Sequence, residues 1–389
     1  MRSGTPGFVG DKLKAAREAR GIISASALAD MLNVSRAAVS QYESGKQTPS
    51  PEVMRSISTV LNLPIQHFLR RHTELDGLRF FRSLSSATQG MRARARRKCD
   101  WLAEIVTFLR GHLQFPKVDF PQLGLPDDPL KISIEMVEQA ALNLRHHWGL
   151  GHGPISNVAW LAENKGAVTV RLDLDSDKLD AFSHWNEIDE TPYIILGTNK
   201  GTAPRSRFNA AHEIAHMILH RNVKQSQFAR PAIFNEMERQ ANRFAGAFLL
   251  PHDTFLSDLY LVSLDAMKSL KPKWKVSIAL MLKRAEDLGA ISEERVKPLW
   301  INLARRGWKR QEPLDTTLPT EEPRFLQRCF AMLIEKQLVK REEFLIHLSL
   351  NSSDIQELAN LPTDFFAPID ATDEVQETEP AILRFPRRA

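Results

Sequence analysis

The run RSRFNAAHEIAHMILH, residues 205–220, decides how the rest of the chain is read. It sets His212 and His216 four positions apart, with Glu213 directly after the first, inside a stretch that otherwise reads as helix. Residues four apart on a helix stack on one face, so both imidazoles can reach a single ion. Glu213 then points to the side of that pair, placed to serve as a general base toward water rather than as a ligand. The plain alternative is an exposed helix face bearing two histidines, with Glu213 in a salt bridge. His220 continues the row and reads as a helix-terminal histidine facing the dipole.

A catalytic zinc site takes three protein ligands and keeps one position open. The downstream helix NEMERQANRFAGAFLLP, 235–251, places Glu238 on a face with Ala241, Asn242, Ala245 and Leu249. One carboxylate on a small, apolar face is costly unless a cation compensates it. Glu238 is therefore the expected third ligand, and Glu236, on another face, is the competitor. Asn242, one turn on, is expected to hold the ring N–H of a liganding histidine. Three residues are candidates for stabilising an oxyanion: Tyr193, His252 and His184. His184 ranks first because its surroundings, FSHWNE, read as a loop.

The rest of the chain sets this helix in context. At 389 residues it is long enough for two or three domains. Its 43% hydrophobic and 25% charged residues are ordinary for a globular protein. No apolar run approaches a membrane span, and the only cysteines, Cys99 and Cys329, have no ligand-like spacing. A cytoplasmic protein is expected. The net charge of +5 is concentrated at the front, where ten Lys or Arg up to Arg71 face five acids. That imbalance fits a polyanionic partner.

The front also has the pattern of a helix-turn-helix. In SALADMLNVSRAAVSQYESG, 26–45, Ala27, Leu28, Met31 and Leu32 form an expected buried face, and Asn33-Val34-Ser35 makes the turn. Val39 and Tyr42 pack the second helix back, while Arg36, Ala37, Ser40 and Gln41 point outward, where Arg and Gln can read base edges. The basic run RARARRK, 92–98, is read as a solvated face pairing with acids, with phosphate binding as the alternative.

Two resemblances follow from these motifs. Residues 26–45 with PSPEVMRSISTVLNLPIQHFL, 49–69, resemble the Xre family of repressor heads. That likeness implies base contacts by Arg36, Ala37 and Gln41, with Ser24, Ser26 and Ser40 as candidate phosphate donors. DAFSHW (180–185), PYIILG (192–197), the 205–220 run and ERQANRFAGAFLLP (238–251) resemble the ImmA/IrrE metallopeptidases. KPKWKVSIALMLKRAEDLGAIS (271–292) and GWKRQEP (307–313) resemble the long members that carry an Xre-type head. The resemblance implies a gluzincin-like Zn2+ site, with His212, His216 and Glu238 as ligands and Glu213 as base. Gln240 departs from the pattern, since many members have a second glutamate there.

The expected architecture is α+β and mostly α-helical. A helix-turn-helix bundle over 8–72 precedes a helical connector over 73–152 and a zinc peptidase domain with a small sheet over 153–312. Strands are expected at 167–174 and 192–197, and further helices over 273–308. A linker at 312–323, two C-terminal helices over 324–366 and a disordered tail over 367–389 complete the chain.

The resemblance implies a regulatory endopeptidase in stress response or mobile-element control. Its expected partners are double-stranded DNA through 8–72 and a protein substrate, a helix-turn-helix repressor, with single-stranded DNA as an activator. A homodimer is expected and no membrane is involved. The rival expectation is a repressor or antitoxin-like regulator whose zinc domain senses a ligand or is structural.

Overall fold

The computed structural model describes residues 4–70, 88–173, 180–198, 201–228 and 230–367, together with the backbone of 79–81. The expected boundary at residue 72 and all but the first residue of the expected tail lie outside the described residues.

Four helices open the chain: α1 (Gly10–Ala19), α2 (Ala25–Leu32), α3 (Arg36–Glu43) and α4 (Pro51–Leu61). Their starts are written in serine. Ser24, Ser35 and Ser50 each accept the amide of the residue three further on, satisfying one of the unpaired donors of a helix start. Asn33 and Asn62 close α2 and α4 in the left-handed conformation, which asparagine tolerates better than most residues. Val39 and Tyr42 are buried as expected. The buried face of α2 is not the expected one: Leu28, Ala29 and Leu32 turn inward, whereas Ala27 is exposed and Met31 is 54% exposed. Leu28 and Leu32 are one full turn apart, and that pair sets the rotation of the helix.

A short strand β1 (Arg79–Phe81) and the long helix α5 (Gln89–Arg110) follow. Next come α6 (Ile134–His147), α7 (Val158–Asn164), β2 (Val168–Leu172), β3 (Ala181–Asn186) and β4 (Thr191–Gly197). Gly166 makes the turn from α7 into β2 at φ +87°, where a Cβ would strike the backbone of Val118; only glycine fits there. The sheet runs in the order β1-β3-β4-β2. β3 is antiparallel to both neighbours, and β2 is parallel to β4. The loop expected around His184, at 182–187, is thus mostly strand β3, in register with β4 from Ala181 against Leu196 to Asn186 against Thr191.

The second half supplies α8 (Ala203–Leu219), α9 (Gln225–Phe228), α10 (Pro231–Leu249), α11 (His252–Asp258), α12 (Leu264–Trp274), α13 (Ile278–Asp287) and α14 (Glu293–Arg305). The region over 273–308 holds more than one helix, as expected: Lys275 is left-handed after α12, and Ser277 caps the start of α13. Three C-terminal helices replace the expected two: α15 (Phe325–Glu335), α16 (Arg341–Leu348) and α17 (Ser352–Ala359).

Strands β2 to β4 are buried along nearly their whole length on both faces, which suits the largely apolar β4, whereas β3 carries Ser183, His184 and Asn186 inside. On one face Val168, Val170, Phe182, Tyr193 and Ile195 join a core shared by the helix-turn-helix, α5 and the C-terminal helices. On the other, Ala181, Trp185, Ile194 and Leu196 join the core of α6 to α8 and α10 to α14. The front domain therefore shares one core with the end of the chain. Lys12 pairs with Glu104 at 2.7 Å, and His67 Nδ1 lies 3.1 Å from the Ser349 carbonyl.

Nor is 312–323 a loose linker. Glu312 is buried and accepts the amides of Ile278 and Ala279 at the start of α13, while Lys271 reaches it at 2.7 Å. Glu321 does the same for Val158 and Ala159 at the start of α7 and pairs with Arg207. A carboxylate suits a helix start, where amides point outward and the dipole is positive. No helix among the described residues is long and apolar enough to cross a membrane.

Candidate functional site

Helix α8 is buried on nearly every side, as expected of a central helix rather than a surface one. Its polar residues therefore need partners. His212, Glu213 and His216 are fully or almost fully buried, so the alternative of an exposed histidine face does not hold. Helix α10 lies against α8 and brings Glu238 opposite the two rings. His212 Nε2 and Glu238 Oε2 are 3.4 Å apart, as are His216 Nε2 and Glu238 Oε1, and the two Nε2 atoms are 3.1 Å apart.

The two histidine–carboxylate spacings fit a metal, and the 3.1 Å between the rings is slightly shorter. Donors about 2.0–2.2 Å from a tetrahedral ion stand roughly 3.3–3.6 Å from one another. Two imidazoles and a carboxylate are also the donor set of a borderline metal such as zinc. Among the described residues this is the one trio of histidine, cysteine or carboxylate groups gathered closely enough to hold an ion. Burial works to raise the Glu238 carboxyl, but the two imidazoles pull harder, and it lies well below the usual carboxylate range. Glu236, the competing ligand, instead pairs with Arg239 and accepts from Gln240.

Around the trio stand orienting groups. His212 Nδ1 lies 3.1 Å from Asn242 Oδ1, the arrangement expected of that asparagine. His216 has its own partner, which sequence reasoning missed: Nδ1 of His216 lies 2.9 Å from Nδ1 of His220. His220 is the C-cap of α8, at the helix end as expected, but its ring turns inward rather than serving only the helix dipole. It is fully buried, and burial first, then the neighbouring His216, pushes its imidazole well below its ordinary pKa. Its i, i+4 spacing from His216 was a visible signal.

Glu213 is held from the sheet. Its Oε2 accepts from the Ser183 hydroxyl at 2.6 Å. Ser183 was also missed, and the strand explains why His184 was chosen instead. Successive side chains of a strand point to opposite faces, so Ser183 faces α8 while His184 faces away from it. His184 lies opposite Tyr193 in the register, with ring centroids 6.1 Å apart. Both are fully buried, and burial drives the Tyr193 hydroxyl far above its usual pKa. His252 is exposed at the start of α11 and pairs with Asp253 at 2.6 Å. The structure brings His184 and Tyr193 to the wrong face of the sheet for the expected chemistry.

At the front, Arg36, Ala37 and Ser40 stand exposed along α3, with Gln41 half-buried beside them. Ser24 is exposed, and its hydroxyl oxygen accepts the Ala27 amide to cap α2, leaving the O–H to donate; Ser26 is half-buried. Within the basic run at 92–98, Arg97 and Lys98 pair with acids as expected, but Lys98 is buried rather than on a solvated face. Arg97 binds Glu18 at 2.8 Å, tying α5 to α1, and buried Lys98 binds Glu357 at 2.5 Å, tying it to α17.

A buried histidine pair and carboxylate on crossed helices, with a glutamate between the histidines, define a metallopeptidase-like centre behind a helix-turn-helix. Comparison with protein families agrees: residues 162–286 match the IrrE N-terminal-like domain of the M78 peptidases, and residues 13–68 match a helix-turn-helix family. The chain thus carries an N-terminal helix-turn-helix domain followed by a domain similar to the IrrE-type, metallopeptidase-like one. No curated protein matches it at a significant level.

Proposed function

We propose that the chain is a DNA-binding regulatory zinc endopeptidase that cleaves a partner protein, a helix-turn-helix repressor being the substrate class its family resemblance suggests. The observation carrying this reading is the convergence of His212, His216 and Glu238, with both rings 3.4 Å from the carboxylate as donors around a tetrahedral ion would be. A divalent ion bound there supplies Lewis-acid chemistry. Asn242 keeps the His212 ring turned toward the trio. Glu213, held by Ser183, takes a proton from the attacking water and returns it to the leaving amine. The shared core of the front domain, α5 and the C-terminal helices supports a single regulatory unit in which DNA binding and cleavage are linked, with single-stranded DNA an activator to be tested.

A second reading has one observation in its favour. With both imidazoles and Glu213 almost wholly buried, the centre could stabilise the fold of a repressor or sense a ligand. Glu213→Gln separates the two. For the peptidase, the variant retains zinc and loses cleavage of repressors encoded beside the gene. If cleavage survives, Glu213 is not the base; if the wild type cleaves none of them and binds its operator equally well without metal, the regulator reading stands.

A further inference from the structure

His216 is oriented by a line of hydrogen bonds that ends on the backbone. Gln240 Nε2 faces three acceptors: the carbonyls of Pro129 at 2.7 Å and Ile132 at 3.0 Å, and Glu236 Oε1 at 2.9 Å. The reversed amide would set an oxygen against all three, so the orientation is decided. Gln240 Oε1 then faces His220 Nε2 at 3.0 Å, and that nitrogen must carry a proton. Between His220 Nδ1 and His216 Nδ1, one donates and the other accepts. Were His220 the donor, it would be a buried imidazolium with no carboxylate bonded to it, which is expensive. His216 would also carry its proton on Nε2, the nitrogen turned toward Glu238. The inexpensive arrangement has His216 Nδ1–H donating to His220.

We propose that His220 and Gln240 form a relay that fixes the His216 tautomer, protonated on Nδ1 with the Nε2 lone pair directed at the trio, and that both are positioning residues for the metal centre. The relay rests on the metal reading above. It ties the centre to the segment before α6, whose carbonyls anchor Gln240. A carboxylate in place of Gln240 would face two carbonyls and Glu236 with no proton to offer. The two histidines are held unequally. The His212 partner Asn242 is exposed, whereas the His216 line is buried throughout.

The test begins without metal. Long-range nitrogen–proton correlation spectra of histidine-labelled, metal-free full-length protein, at about pH 8.5 where free imidazoles are neutral, should show His216 protonated on Nδ1 and His220 on Nε2. A proton on His216 Nε2 overturns the relay. Zinc affinity is then measured by chelator competition on His220→Leu and His220→Asn. Losing the acceptor in His220→Leu should weaken zinc about 10–100-fold, while His220→Asn, whose Oδ1 falls near the former Nδ1, recovers much of it. A folded His220→Leu that binds zinc as wild type does also overturns the relay; if that variant does not fold, the wild-type spectra decide. Expected tautomers in a wild-type protein that binds no zinc would leave the relay standing and remove the metal reading alone.

Discussion

The Arg20 guanidinium meets the Asp354 carboxylate through two bonds of 2.6 Å, joining α1 to α17 across 334 residues of sequence. Arg20 also donates to the Leu61 and Asn62 carbonyls and lies 5.3 Å from the centroid of the Trp101 ring. One side chain thus fastens the reader domain to both α5 and the end of the chain. Asp354→Ala should destabilise the protein by roughly 1.5–3 kcal/mol, the range for hydrogen bonds to charged groups. Urea unfolding should show the front domain loosening first. A midpoint equal to that of the wild type would mean the pair is incidental.

Ser183→Ala removes the hydroxyl that holds Glu213 without touching the three donors. Zinc affinity should remain unchanged, while kcat for the cleaved partner falls at least about tenfold, equivalent to ~1.4 kcal/mol of lost orientation. A parallel loss of zinc would show that Ser183 supports the fold of the site rather than the base.

Asn242→Ala leaves the His212 ring without its partner at Nδ1. Zinc binding should weaken about 10–100-fold. Because Asn242 is exposed, the melting temperature of the metal-free protein should hardly move. A large fall in that temperature would contradict this separation.

Glu163 gives a pH dependence with a definite sign. Its carboxyl accepts the amides of Arg324 and Phe325 where α15 begins. Burial nevertheless pushes it up to about 7, overcoming the pull of those amides. The folded state therefore binds the proton more tightly than the unfolded one. Its stabilising effect is complete below about pH 4.5 and is lost as the pH rises to about 7. Relative to Glu163→Gln, the wild type should lose on the order of 2–3 kcal/mol across that window, measured by urea unfolding at both ends. Parallel curves for the two proteins would remove Glu163 as the cause.

For the reader domain, Arg36→Ala should cost about 1–3 kcal/mol in binding to an operator selected from random duplexes, and should relax the preference at one base pair. Loss of affinity without loss of preference would assign Arg36 to phosphate instead.

Much of the centre was legible because its information is local. Two histidines and a glutamate in HEIAH, and Glu238 with Asn242 one turn on, obey helical spacing whatever surrounds them. Ser183 and His184 mark where legibility ended. Both lie in a six-residue strand that reads as a loop, and choosing between neighbours in a strand requires knowing which face meets α8. His220 was seen but misjudged, since its partner Gln240 sits on another helix, anchored to carbonyls more than a hundred positions away. The same applies to Glu312 and Glu321, which look like linker acids until the helix starts they cap are in place.

From residue order alone came most of the helices, the outward side chains of α3 and the trio His212, His216 and Glu238, because helical periodicity acts within a few residues. The tertiary structure alone decided how these parts combine: the four-stranded sheet, the face Ser183 presents, the burial of His220, and the union of the first helices with the last through Arg20 and Asp354. Such contacts join segments far apart in the chain, and the free energy of burying both faces of one sheet selects them rather than any local preference.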